Sequence, residues 1–159
     1  ELRERATRAL AQIVESPAGA LWLRNDSGVL LLVSHWNLPD CEAPPEPIES
    51  SLGHFCERRR WVIDIDGYRA TPDQYPDLKL PIWLLDNPRA WLVVPLLHNE
   101  QLQGFVLLTH PRVKHSLNWE DFDLLKAAAS QISAHIAQQE TQDALLEARQ
   151  FEAYNRFST

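Results

Sequence analysis

From Asn118 to Thr159 the chain runs without a glycine or a proline. Within that run Phe122, Leu125, Ala129, Ile132 and Ile136 recur at alternating spacings of three and four. The same register continues through Gln139, Asp143, Leu146, Gln150, Ala153 and Phe157. A stripe of this period is one side of a long helix. Asn118 suits its N-cap, and Glu120 and Asp121 set negative charge against the positive end of the helix dipole. One small domain cannot cover a seam of this length, so the second half of the helix calls for a partner. Everything else must pack around the first half.

What remains is enough for one domain. The chain has 159 residues, 45% of them hydrophobic and 23% charged, which is a globular balance. A net charge of −7 argues against binding nucleic acid or an anionic membrane, since both require a basic footprint. The longest apolar runs, such as residues 29–33 and 91–97, are strand-length and too short to insert across a bilayer. Two cysteines are too few for a disulfide framework. There is no methionine, and the chain opens on Glu1 inside a helical pattern. The expectation is a piece of a longer protein.

Leu2, Ala6, Ala9 and Ile13 mark one face of a first helix, stopped by Ser16-Pro17. Residues 20–24 and 29–36 read as strands around the hairpin turn Asn25-Asp26-Ser27-Gly28. The near-continuous apolar character of the second strand predicts burial on both faces. Residues 37–47 hold prolines and acids and read as a loop. A helix is expected over 48–60, with Pro47 at its start and Cys56 on its apolar face. A short strand follows over 61–65, then an irregular stretch over 67–81 and a short helix over 82–86. Residues 90–97 and 102–109 form the clearest hairpin, joined by His98-Asn99-Glu100-Gln101. Five strands, mainly hairpin-connected, with helices before, between and after them predict an α+β sandwich.

That order, with Val93-Val94-Pro95-Leu96-Leu97 followed after a turn by Leu102-Gln103-Gly104-Phe105-Val106-Leu107-Leu108, resembles the GAF domain, a small-molecule-sensing module. GAF domains place a Pro-Leu pair late in the fourth strand and a glycine early in the fifth. Further strings extend the likeness: Trp61-Val62-Ile63-Asp64-Ile65, Leu80-Pro81-Ile82-Trp83-Leu84, Trp119-Glu120-Asp121-Phe122-Asp123-Leu124-Leu125-Lys126 and the tail from Glu147 to Phe157. These resemble the GAF region of PrsK-type sensor histidine kinases, which belong to exosortase (PEP-CTERM) exopolysaccharide systems. The resemblance implies a GAF-like, five-stranded, mainly antiparallel sheet flanked by N- and C-terminal helices. It divides the chain into a dimerisation helix over 1–15, a sensor core over 16–138 and a coiled-coil linker over 139–159. It further implies a cytoplasmic position in an inner-membrane-anchored parent whose kinase core follows. The phosphoacceptor and ATP-binding boxes do not occur in this sequence, so no catalytic residue is expected within it.

By analogy with the GAF fold, a ligand would lie between the sheet and the segment crossing it, residues 66–87. Tyr68, Arg69, Tyr75 and Trp83 would then line it, with Trp61, Asp64 and Trp91 contributing from strands. The competing reading makes the tryptophans packing residues and pairs Arg69 with an aspartate. No cofactor is identifiable, and the small molecule is not named by any motif. His35, His54, His98, His110, His115 and His135 show no metal-ligand spacing. Bilin-attaching GAF domains carry a cysteine usually followed by histidine, whereas Cys41 and Cys56 precede Glu42 and Glu57. The acidic neighbours of Cys41 should raise its pKa. Arg58-Arg59-Arg60 reads as a helix-ending cap, and Asp64 and Asp66 as turn-forming residues.

The terminal helices are expected to carry the output. Ala9 and Ile13 with Ile132 and Ile136 would form a four-helix interface in a parallel homodimer, extended by Leu146 and Ala153. The polar seam residues Gln139, Asp143 and Gln150 weaken a coiled coil while specifying its register, which suits a helix with two arrangements. The leading expectation is a regulatory sensor and dimerisation module. The rivals are a ligand-free structural relay and a GAF-fold enzyme using Cys41 or Cys56.

Overall fold

The computed structural model describes every residue except Asp40, His115 and Thr159. Helix α1 (Leu2–Ile13) leads into strands β1 (Gly19–Arg24) and β2 (Val29–Trp36), then the two-residue strand β3 (Glu46–Pro47) and helix α2 (Ser51–Arg59). Strand β4 (Ile63–Asp64), helix α3 (Ile65–Ala70), a 3₁₀ turn at Pro72–Gln74 and helix α4 (Ile82–Leu85) follow. Strands β5 (Ala90–His98) and β6 (Gln101–Thr109) form a hairpin before the long helix α5 (Trp119–Ser158). The strands make one antiparallel sheet in the order β3-β2-β1-β6-β5-β4.

Period-two alternation splits the core between the two faces of this sheet. Ala20, Trp22, Phe105 and Leu107 point to a first core closed by α2, α3 and α4. Leu21, Leu23, Val106 and Leu108 point to a second core closed by α1 and α5. The turn between β1 and β2 is set by Asn25, whose side-chain oxygen accepts from the backbone N–H of Ser27 (2.9 Å) and Val29 (3.0 Å). Gly28 takes the left-handed backbone that this turn demands, with φ of 75°. Gly104 serves a different need. A Cβ there would sit 2.0 Å from the carbonyl oxygen of Trp22, so β1 and β6 can approach only over a glycine.

Several local expectations are corrected. The sheet has six strands and not five, because Glu46–Pro47 adds to the edge of β2 out of a segment whose prolines read as loop. Proline is tolerated at such an edge. Helix α2 starts at Ser51, after Ser50 accepts the Gly53 N–H at 3.2 Å, so the serine cap prevails over Pro47. Strand β4 shrinks to Ile63–Asp64, because α3 already begins at Ile65, inside the stretch read as strand, and runs on to Ala70 in the stretch read as irregular. Strand β2 is not doubly buried; only Leu30 is fully enclosed, since the covering elements centre on β1, β6 and β5. In α1 the buried face is Ala6, Thr7, Leu10 and Ala11, continued by Val14, which leaves Ala9 exposed.

Helix α5 is anchored by a reciprocal cap: Asn118 donates to the Asp121 carboxylate and Asp121 donates to the Asn118 side chain, each at 3.0 Å. Leu125, Ala129, Ser133 and Ile136 are buried against the second core. From residue 138 to 157 every position is exposed. The helix therefore docks for about half its length and then leaves the domain. Among the described residues no helix is long and apolar enough to cross a membrane.

Candidate functional site

The space between the sheet and its crossing segment begins at Trp22, fully buried on β1. Its ring stacks on Phe105 of β6 at 4.7 Å and on Trp83 of α4 at 5.4 Å. Trp83 donates its indole N–H to Glu46 at 3.2 Å, and Glu46 is itself buried, which holds α4 over the sheet. The indole N–H of Trp22 has no partner among the described residues. Three stacked rings thus occupy the centre of this face.

A second aromatic group lies beside the first. Phe55 of α2 meets Trp61 at 5.7 Å and Tyr75 at 6.0 Å, and Tyr75 meets Trp61 at 6.4 Å and Tyr68 at 6.3 Å. Asp64 donates its backbone N–H to the Tyr75 hydroxyl at 2.9 Å. Burial pushes the Tyr75 phenol up, and the nearby Asp64 charge adds to this while the hydrogen bond opposes it. One carboxylate oxygen of Asp64 is buried without a partner among the described residues. The Tyr68 hydroxyl accepts from Leu80 N–H at 3.4 Å. Arg69 donates to the carbonyl of Leu85 and so ties α3 to the end of α4 instead of pairing with an aspartate.

The seven residues expected around a ligand therefore divide. Trp61, Asp64, Tyr68 and Tyr75 come together, with Trp83 and Arg69 on the neighbouring helices. Trp91 lies across the sheet in the second core, because β5 shifts register between Ala90 and Leu92. There its ring stacks on His110 at 6.1 Å, and His110 Nε2 sits 2.7 Å from the Asp66 carboxylate. Asp66 thus does more than form a turn. Trp22, Phe105 and Glu46 were not singled out by sequence reasoning. Nothing local marks them, since a tryptophan or phenylalanine in an alternating strand reads only as core.

The cysteines are held as thiols. Burial pushes Cys56 up to about 12, and burial, not its acidic neighbours, raises half-buried Cys41. A thiolate nucleophile is disfavoured at both. Among the described residues no three His, Cys, Asp or Glu side chains converge on a metal-sized site, and His115 lies outside them. Arg60 closes α2 in a left-handed conformation, as expected of a helix end, and the Arg59 guanidinium lies 5.6 Å over the Trp61 ring.

The expected interface residues also separate. Ala9 and Ala153 are exposed, Leu146 is 56% exposed, and Ile13 and Ile132 are half-buried. Ile136 is only 3% exposed and belongs to the domain's own second core. Beyond it, Gln139 donates to Asp143 at 3.1 Å along the helix, so two polar seam residues satisfy each other within one chain.

A family model described as GAF domain matches residues 1–137. Residues 122 to 287 of a methyl-accepting chemotaxis protein superpose with a TM-score of 0.63 at 19% identity, covering 87% of this chain and 90% of that one. A GAF domain/HD domain protein from Geobacter sulfurreducens gives 0.65 at 15% identity, covering 88% and 92%. The second GAF domain of DevS from Mycobacterium smegmatis gives 0.64 at 15% identity, covering 91% and 96%. At such identities the likeness is one of fold. No curated protein matches the chain.

Proposed function

This chain belongs to the GAF-domain family, whose members are regulatory sensor modules of signalling proteins, and on that premise we propose that it is the sensor and dimerisation module of a PrsK-type two-component histidine kinase. The observation that carries the reading is the behaviour of α5. Burial along this helix ends at residue 137, which is also where the family match ends. The remaining turns expose Leu146, Phe151 and Phe157, large apolar side chains that a solitary helix does not favour in water. Residues 139–159 in this reading are the coiled-coil linker toward a kinase core in a membrane-anchored parent.

The homodimer places Leu146, Ala153 and Phe157 along the projecting seam, with Ala9, Ile13 and Ile132 beside its root. Ile136 remains in the core of its own protomer. A displacement of the sheet is transmitted directly, because Leu125, Ala129 and Ile136 of α5 pack on it. The stack of Trp22, Phe105 and Trp83 supports a second reading for the first face of the sheet, in which that face is a filled structural relay and not a ligand chamber.

Sedimentation of the chain over a range of concentrations tests the dimer. A reversible dimer is expected, and Leu146→Asp with Ala153→Asp should leave a folded monomer. A strict monomer at high concentration refutes the interface. For the kinase assignment the full-length parent is incubated with ATP. Acid-labile phosphate on histidine supports it, and no incorporation refutes it.

A further inference from the structure

Between the edge strand β4 and the first turns of α5 the surface sinks into a cleft of about 350 Å³, on the helix side of the sheet edge and apart from the stacked rings around Trp22. Its walls are aromatic: Trp61 and Tyr75 on one side, Trp119 and Phe122 on the other. Two of these rings are unusually open for tryptophan, Trp61 at 36% and Trp119 at 71%. Trp61 is also braced, with Arg59 over its ring and the edges of Phe55 and Tyr75 against it. A preset wall binds a flat ring with little loss of side-chain freedom.

The charged groups of the cleft come from one turn of α5, and Gln74 of the crossing segment adds a side-chain amide. Asp123 supplies a carboxylate and Lys126 an ammonium, three residues apart on the helix. Among the described residues neither is engaged in an ion pair. Lys126 and Val62 also line a second cleft of about 330 Å³ that runs on between β5 and α5 past Arg60. Lys126 therefore stands at the junction of the two, where a ligand's charged end would pass.

We propose that the Trp61–Trp119 cleft binds a small molecule with one flat aromatic ring and both an ammonium and a carboxylate group, the aromatic amino-acid class. The ring lies between the tryptophans, the ammonium meets Asp123, and the carboxylate meets Lys126. The volume falls in the range of about 300–1,000 Å³ common to small-molecule sites. Asp123 and Lys126 are both exposed, so a ring without charges gains nothing from them and a singly charged ring draws on only one of the two. Binding here bears on Phe122, one turn from buried Leu125, and so on the helix that leaves the domain.

The test is an NMR titration that follows the indole N–H signals of the six tryptophans. L-Tryptophan, L-tyrosine and L-phenylalanine are added in turn, then tryptamine and indole-3-propionate, which each lack one charge. At least one amino acid should shift Trp61 and Trp119 saturably while Trp22, Trp83 and Trp91 stay in place. Both single-charge analogues should bind at least about tenfold more weakly, as expected for loss of a charged contact worth about 1.4 kcal/mol. Asp123→Asn should abolish the advantage over indole-3-propionate, and Lys126→Gln the advantage over tryptamine. No saturable shift with any of the three overturns the proposal, as does equal affinity for the single-charge analogues. Shifts of Trp61 and Trp119 on raising protein concentration alone would place a second copy in the cleft and also overturn it.

Discussion

Ile136→Ala separates the two roles of the α5 seam. The side chain is 3% exposed and packs with Leu125 and Ala129 against the sheet. Truncation removes three carbons, each worth about 0.8 kcal/mol when buried, and leaves a cavity that the surroundings fill only in part. Ile136 is the last buried residue of the helix, where relaxation is easiest, so we take the lower part of the usual range, about 2.5–3 kcal/mol. For a chain of this size each kcal/mol lowers the melting temperature by about 2–4 °C, which gives a drop of about 5–12 °C. Leu146→Ala, at a position 56% exposed, should change the protomer by less than about 0.5 kcal/mol. Circular dichroism melts at dilutions where the chain is monomeric isolate this protomer term from mass action. Sedimentation at high concentration then reads the other role, where Leu146→Ala weakens association. If both variants melt alike at dilution, or Ile136→Ala melts at the wild-type temperature, the division of the seam at residue 137 is wrong.

Gly104→Ala should lower the urea midpoint by the equivalent of about 1–3 kcal/mol or prevent folding, because its Cβ meets the Trp22 carbonyl at 2.0 Å and one of the central strands must move. A midpoint unchanged from wild type would contradict the close approach of β1 and β6. Glu46→Ala should cost about 1–3 kcal/mol by stranding the Trp83 indole N–H, while Glu46→Gln, which keeps an acceptor oxygen, should recover most of it. Equal losses in the two variants would mean that the hydrogen bond is not what holds α4. Cys56 makes stability depend on alkaline pH. Its thiol ionises near 9.0 when unfolded and near 12 when folded, so the folded state holds the proton longer. Stability should therefore be fully present below pH 9 and fall as pH rises toward 12, by up to about 1.4 kcal/mol per unit. Cys56→Ala should flatten that slope in urea titrations across this range, and an unchanged slope would place its origin elsewhere.

The order of elements was legible because it rests on short-range chemistry. Asn25 and Gly28 mark the first hairpin, Asn118 and Asp121 cap the long helix, and the absence of breakers after Asn118 extends it. Errors gathered where two local signals competed. Pro47 and Ser50 both start helices, and the serine won because its oxygen satisfies a backbone N–H that would otherwise lack a partner. At residues 46–47 pairing to β2 overrode a composition that reads as loop. Alternation alone could not tell a doubly covered strand from a half-covered one, which is why β2 proved more exposed than its apolar run implied.

The site was legible in its residue types and not in its arrangement. Tyr68, Tyr75 and Trp61 are conspicuous in sequence, yet it is Phe55 of α2 that closes against Trp61 and Tyr75, while Trp22 and Phe105 from distant strands fill the space beside them with Trp83. Trp91 shows the limit most plainly. One register shift in β5 sends it to the opposite face, and no pattern along residues 90–97 announces it. Periodicity along the chain establishes that α5 is long, amphipathic and capped at Asn118, because each of those properties involves neighbours within a few residues. It is silent on which stretch of the stripe meets the domain's own sheet and which is left to project. That division, with Ile136 inside and Leu146 outside, follows from where β5 and β6 end in space, a distance that no local spacing encodes.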